Sequence, residues 1–386
     1  MTRPLLARRL DGLGTTIFAE MSALAHASGA INLGQGFPDT DGPAEVIEIA
    51  AAAMRDGANQ YPPGDGIPDL RRAIAEHRLR FRGQEFDPDS EVMVTTGATE
   101  AIAATLLALL EPGDEVIALE PFYDSYAACV AMAGARLVGV TLRPPHFRPD
   151  PDELRAAVTP RTRVIVLNSP HNPTGTVLTR PELEHIAAVA IEHDLIVVAD
   201  EVYEHLVFTG EHIPIATLPG MRERTVTISS AGKTFSLTGW KIGWVCAPRE
   251  LIAAVRTTKQ FLTYASGAPF QPAIAHALRM PDTYFTNLRE DLRAKRDLLS
   301  TGLRATGLTV YDPQGTYFTT TDITPLGHTD GLEFCRALPK LCGVVAVPEI
   351  VFFADREVGR PLVRFAFCKR RDILTEAVSR LRQLAP

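Results

Sequence analysis

Lys233 stands in the run Ser230-Ala231-Gly232-Lys233-Thr234, flanked by small residues. Most lysines are solvated surface groups, yet one set in a small-residue loop after an apolar strand is poorly explained that way. Partial desolvation lowers an amine to about pKa 7–8, where it attacks carbonyls. Asp200 closes the apolar run Leu195–Ala199. A carboxylate there is either a helix cap or a charge held for a cationic partner. Gly97-Ala98-Thr99 leads from one apolar run into a longer helical one. Small residues in that place leave backbone N–H groups free at a positive helix end, a cradle for phosphate; a tight strand–helix turn uses the same residues. Tyr123 offers an aromatic face. An amine for an aldehyde, a carboxylate for a ring nitrogen, a phosphate cradle and a ring to stack on together fit one cofactor, pyridoxal 5′-phosphate.

Other chemistries fit less well. Ser230–Thr234 looks superficially like a nucleotide-binding loop, but that motif needs a glycine where Thr227 stands, and the case for a helix directly after it is weak. Ser230 is no hydrolase elbow, because Ile228 occupies a required glycine position. The ten histidines are dispersed without H-E-x-x-H or Cys/His spacing, so no metal is expected.

These residues need strands to carry them. Seven short runs rich in β-branched residues alternate with helical runs: Glu91–Thr95, Glu115–Glu120, Arg136–Thr141, Arg163–Asn168, Leu195–Asp200, Thr225–Ser229 and Ile242–Cys246. Several are apolar on both faces, as strands between helix layers must be. Thr179 with Glu182 three residues on, and Pro181 just inside, predicts a helix over Pro181–His193. The fold class is α/β, with a mostly parallel seven-stranded sheet between helices. Ligands collect outside the carboxyl ends of such strands, where all the residues above fall.

After Met280 the pattern changes. A long amphipathic helix carries Phe285, Leu288, Leu292, Leu299 and Leu303. Strands over Tyr317–Asp322, Gly343–Val347 and Leu362–Cys368 follow, then a terminal helix with Leu374, Val378, Leu381 and Leu384 on one face. We expect a large domain over residues 46–280 and a smaller α+β domain from 1–45 and 281–386. The first 45 residues read as too irregular to fold alone and are expected to pack onto the small domain.

Composition agrees with a globular chain of two to three domains by length: 386 residues, 46% hydrophobic and 22% charged. The net charge of −7 gives no footprint for nucleic acid or anionic membrane, though a local basic pocket for a small anion stays open. No apolar run approaches a membrane span, and the N-terminal stretch lacks the apolar core of a secretory signal. Five scattered cysteines (Cys129, Cys246, Cys335, Cys342, Cys368) read as reduced thiols, so a cytoplasmic location is expected.

Seven segments, in order, resemble the class I and II, fold-type I pyridoxal-phosphate aminotransferases over nearly the whole chain. They are INLGQGFPD (Ile31–Asp39), NQYPPGDG (Asn59–Gly66), EPFYDSY (Glu120–Tyr126), NSPHNPTG (Asn168–Gly175), DEVYEHLVF (Asp200–Phe208), SSAGKTFSLTGWKIGW (Ser229–Trp244) and LVRFAFCKR (Leu362–Arg370). The resemblance implies that Lys233 bonds the cofactor aldehyde and Asp200 pairs with the pyridine nitrogen. Asn172 and Tyr203 would bond the ring oxygen, and Tyr123 would stack on the ring. Gly97, Ala98 and Thr99, with Ser230 and Lys241, would hold the phosphate, which Tyr61 would reach from a neighbouring subunit. Arg364 would grip the substrate α-carboxylate as a planar fork; otherwise it is a surface arginine. Gly36 would let backbone approach that carboxylate. Phe18 would wall the side-chain pocket, although a phenylalanine is more often core.

The implied reaction is ping-pong transamination between an L-amino acid and 2-oxoglutarate, in a homodimer with shared sites. Lys233 would move the Cα proton while Asp200 keeps the ring nitrogen protonated. Within the family the chain is most similar to the N-succinyldiaminopimelate aminotransferases of lysine biosynthesis. Next comes the group of kynurenine, glutamine and methionine aminotransferases and cysteine-conjugate β-lyases. Thr99 and Phe18 favour the first group and Gly232 the second, while Val347–Arg356 (VPEIVFFADR) departs from both patterns. A C–S lyase would differ only in where Lys233 sends its proton. A regulator that merely senses the cofactor would need an added helix-turn-helix domain, for which the resemblance leaves no room.

Overall fold

The computed structural model describes residues 5–385; the first four residues of the N-terminal stretch read above for targeting lie outside them. The chain enters through a helix, Ile17–Ser28, capped by Thr16, whose hydroxyl accepts from the Ala19 amide at 3.3 Å. It ends at Gly29 in the left-handed region, φ +64°, as a helix C-terminus prefers. Strand β1 (Ile31–Asn32) follows. The first 45 residues are therefore more regular than expected.

The large sheet is built from β2 (Val92–Thr96), β3 (Glu115–Glu120), β4 (Arg136–Thr141), β5 (Thr162–Asn168), β6 (Ile196–Asp200), β7 (Thr225–Ser230) and β8 (Ile242–Cys246). Their order is β2-β8-β7-β6-β5-β3-β4. Strands β7, β6, β5, β3 and β4 run parallel; β8 alone is antiparallel to both its neighbours, β2 and β7. The seven expected strands are all present, with ends shifted by at most one residue. Alternate residues of one strand enter different cores: Ile117, Ile165 and Val197 pack on one face, and Val116, Val164 and Val198 on the other. This is why these strands read as unbroken apolar runs.

Four short strands form a second sheet, while a fifth leaves it. They are β9 (Thr309–Tyr311), β10 (Phe318–Asp322), β12 (Val347–Pro348) and β13 (Leu362–Ala366), ordered β12-β13-β10-β9 and antiparallel throughout. Between them in the chain, β11 (Val344–Val345) pairs in parallel with β1. The single strand expected over Gly343–Val347 is thus two pieces in two sheets. The Ile17–Ser28 helix contributes Ile17, Met21 and Ala25 to the core that also holds the small sheet. The long helix, Asp282–Arg304, joins both regions: Phe285 packs with the β2–β8 edge, and Leu292, Leu299 and Leu303 pack under the small sheet. The helix expected over Pro181–His193 runs Arg180–Glu192, and the Thr179 amide donates to Glu182 at 2.7 Å as its spacing predicts.

Candidate active site

At the carboxyl edge of the large sheet the strand ends open a cleft of about 340 Å³. Asp200 ends β6, Asn168 ends β5 and Ser230 ends β7. A four-residue helix, Ala231–Thr234, turns directly from β7 and carries Lys233 into the cleft, although the sequence made only a weak case for a helix there. The helix Gly97–Leu109 starts straight from β2, so Gly97, Ala98 and Thr99 form its first turn at the same edge. Lys241 stands just before β8 in a left-handed conformation, φ +53°. From the small sheet side come Arg364 on β13, Phe318 on β10 and Phe18 on the first helix.

Of the residues singled out from sequence, Gly36, Phe18, Gly97, Ala98, Thr99 and Tyr123 all line this one cleft. So do Asn172, Asp200, Tyr203, Ser230, Lys233, Lys241 and Arg364. Tyr61 does not. It is 81% exposed and stands edge-on to Tyr264 at 5.7 Å, away from its own chain's cleft.

Asp200 is buried, which raises its carboxyl above the ordinary carboxylate range. The Tyr126 hydroxyl opposes that shift by donating to Oδ2 at 2.6 Å, and the Val202 amide donates to Oδ1 at 3.3 Å. Asn168 ties two loops together: its Nδ2 donates to the Asp200 carbonyl at 2.8 Å, and its Oδ1 accepts the Asn172 amide at 2.7 Å. Lys233 Nζ makes one long contact, 3.4 Å, to the Gly36 carbonyl, and desolvation pulls its amine below the usual lysine range. The Tyr317 hydroxyl donates to the same carbonyl at 2.5 Å. Burial pushes the Tyr123 phenol up to about 12, so its ring meets the cleft neutral.

Arg364 is 1% exposed and has no carboxylate within ion-pair distance among the described residues. Its Nη1 donates to Asn172 Oδ1 and its Nη2 to the Gly34 carbonyl, both at 3.0 Å. Phe318, Phe18 and Phe352 surround the guanidinium at 4.0, 5.2 and 5.5 Å from their ring centres. Its Nε is buried without a partner. A buried, charged donor left open is costly unless a ligand completes it.

The charged residues lining the cleft are Lys233, Lys241 and Arg364 against Asp200 alone. A chain of net charge −7 therefore presents a cationic pocket, suited to a ligand with phosphate and carboxylate groups. Gly97 has φ +71°, and a Cβ there would lie 3.2 Å from both Cε and Nζ of Lys241. The ammonium thus hangs over an open helix N-terminus, an arrangement that holds a phosphate.

The family model for aminotransferase class I and II matches residues 28–381. The chain is a class I and II aminotransferase. A Mycobacterium tuberculosis protein named as a probable N-succinyldiaminopimelate aminotransferase is 55% identical over 98% of both chains. The methionine aminotransferase of Escherichia coli is 43% identical over 97% of both. The solved structure of N-succinyldiaminopimelate aminotransferase from Mycobacterium tuberculosis superposes with a TM-score of 0.97 at 56% identity, covering 98% of this chain and 100% of that one. The aminotransferase uses pyridoxal 5′-phosphate, and its substrates are amino acids and 2-oxo acids. The cleft fits that cofactor, with an amine, a buried carboxylate needing a cation, an aromatic face and a phosphate cradle at one strand edge. No described helix is long and apolar enough to cross a membrane.

Sequence reasoning passed over Tyr126, Tyr317 and Phe318, and placed Asn168 at a strand end without giving it a role. Tyr126 lies in the first turn of the helix that Tyr123 precedes, and the two rings meet edge-on at 5.8 Å, so its nearness in sequence was a readable signal. Phe318 opens β10 and Tyr317 directly precedes it; nothing local to them points toward Gly36 or Arg364.

Proposed function

We propose that this aminotransferase transfers the amino group of N-succinyl-LL-2,6-diaminopimelate to 2-oxoglutarate, acting in the cytoplasm as a homodimer. The observation that carries the reading is a half-buried amine, Lys233, sharing one cleft with an arginine whose Nε is buried and unpaired. Full-length likeness to the Mycobacterium tuberculosis relative supports the donor, and five buried free thiols are consistent with a reducing compartment. The division into a large domain (46–280) and a small one (1–45 with 281–386) belongs to the same proposal.

In this reading, bound pyridoxal phosphate supplies an aldehyde for amine exchange and a ring that draws electrons from the substrate Cα. Gly97, Ala98 and Thr99 donate backbone N–H groups to its phosphate, joined by Ser230, Lys241 and the partner's Tyr61. Asp200 holds the proton on the ring nitrogen, because a buried carboxylate is stabilised by a cation placed against it. Asn172 and Tyr203 bond the ring oxygen, and Tyr123 supports the ring face. Arg364 orients the α-carboxylate through Nε and its neighbouring Nη, with Gly36 giving backbone room and Phe18 walling the substrate side chain. Lys233 then takes and returns the Cα proton, a role suited to an amine whose proton affinity burial has lowered.

Lys233→Ala is expected to retain pyridoxal phosphate yet lose multiple turnover by at least about 10³-fold. A panel of amino donors with 2-oxoglutarate tests the substrate. N-succinyl-LL-2,6-diaminopimelate should give the highest kcat/KM, above methionine, kynurenine and glutamine. Pyruvate release from cysteine conjugates exceeding 2-oxo acid formation would favour a lyase instead.

A further inference from the structure

The segment that departs from the family pattern places an unusual group behind the carboxylate subsite. Glu349 is fully buried and opens the turn Glu349–Phe352 that follows β12. Its Oε1 accepts the Thr320 hydroxyl at 2.6 Å, while its Oε2 is buried with no partner. The two strands that flank this group meet at Arg364: Thr320 is paired with Arg364 across β10 and β13, and Val347 with Arg364 across β12 and β13. The same turn ends in Phe352, whose ring faces the Arg364 guanidinium and stacks on Phe18 at 5.7 Å.

The groups facing Glu349 are few. Arg364 lies on β13, Tyr311 on β9 and Cys335 on the helix Gly331–Cys342. Burial holds the tyrosine and the cysteine above their ordinary values, so both are neutral near pH 7. Arg356 and Glu357, on the short helix that follows, are exposed. Arg364 is therefore the one charged group in the set, and it is not in ion-pair contact. A buried carboxyl without a bound cation, and with one oxygen unpaired, favours its neutral form.

We propose that Glu349 is a positioning residue of the α-carboxylate subsite: protonated, it leaves the whole charge of Arg364 to the substrate, and ionised, it competes for that charge and weakens carboxylate binding. This rests on the proposed role of Arg364. Burial pushes Glu349 up to about 7, with the Thr320 hydrogen bond and Arg364 opposing, which puts the transition in a working range. The sign is fixed by like charge: a bound carboxylate favours the proton on Glu349. Affinity is then highest below about 7 and falls as pH rises through it.

The test uses holoenzyme and hexanoate, a carboxylate with no amine to donate, in calorimetric titrations from about pH 6 to about pH 8.5. The dissociation constant of the wild type should rise about 5- to 10-fold more than that of Glu349→Gln, which keeps an acceptor for Thr320 but cannot ionise. Titrations of the loaded site common to both proteins cancel in that ratio. Wild type should also take up protons on binding near pH 7.5 while the variant does not. Thr320→Val, which removes the donor favouring the carboxylate, should move the wild-type midpoint upward and serves as the test if Glu349→Gln fails to fold. Identical pH profiles in wild type and in whichever variants fold would overturn the inference. Arg364→Leu separates the two readings: it should lose hexanoate at every pH, and if it does not, the role given to Arg364 is what fails.

Discussion

One hydroxyl leads the groups that favour the charged form of the buried Asp200. Burial raises its carboxyl, and the 2.6 Å bond from Tyr126 is the first force opposing that rise. Tyr126→Phe should therefore raise it further, leaving more of the carboxyl neutral and the ring nitrogen less firmly protonated. A hydrogen bond to a charged group contributes roughly 1.5–3 kcal/mol, so cofactor affinity and kcat should each fall by about 10-fold or more. Equilibrium dialysis of the cofactor and steady-state rates check this; unchanged values would remove Tyr126 from the site. The chemistry of Lys233 and Asp200 was legible in sequence because each lies at or just past the end of an apolar strand, whereas the role of Asn172 came only from the family resemblance. Tyr126 was legible only as a neighbour of Tyr123, because sequence does not say which buried group its hydroxyl meets.

The helix Gly97–Leu109 shows how an element, rather than a residue, makes the phosphate cradle. Its first residue needs φ +71°, and β8 passes so close that a Cβ on Gly243 would meet the Gly97 carbonyl carbon at 2.5 Å. Gly97→Ala should cost about 1–2 kcal/mol in stability, from backbone strain alone. It should also weaken cofactor binding, because Lys241 has to move from its place 3.2 Å from the new methyl group. Thermal melts with and without pyridoxal phosphate separate the two effects: the holo form should lose more than the apo form. At this scale the capping pattern Thr179–Glu182 and the alternating apolar runs were readable, since both are local. The division of Gly343–Val347 between two sheets was not, because β11 leaves to pair with a strand more than 300 residues earlier.

For the whole molecule, Tyr61 is the residue a single chain leaves unexplained: it is 81% exposed, with its ring edge-on to Tyr264. Complementation tests whether it serves a second copy. Mixing inactive Tyr61→Ala and Lys233→Ala subunits should restore about a quarter of wild-type activity if Tyr61 crosses between subunits, since half the dimers then hold one intact site. If Tyr61 acts within its own chain, the mixture should stay inactive. Sequence alone determined the parallel sheet, the cofactor and the strand-end residues, because apolar period, small-residue turns and catalytic residue types are properties of short segments. Only the tertiary structure decided that Arg364 is buried among three rings with one open donor, and that Glu349 lies behind it. Those facts depend on β10, β12 and β13 meeting, and no local pattern specifies which side chains a long-range pairing will bring together.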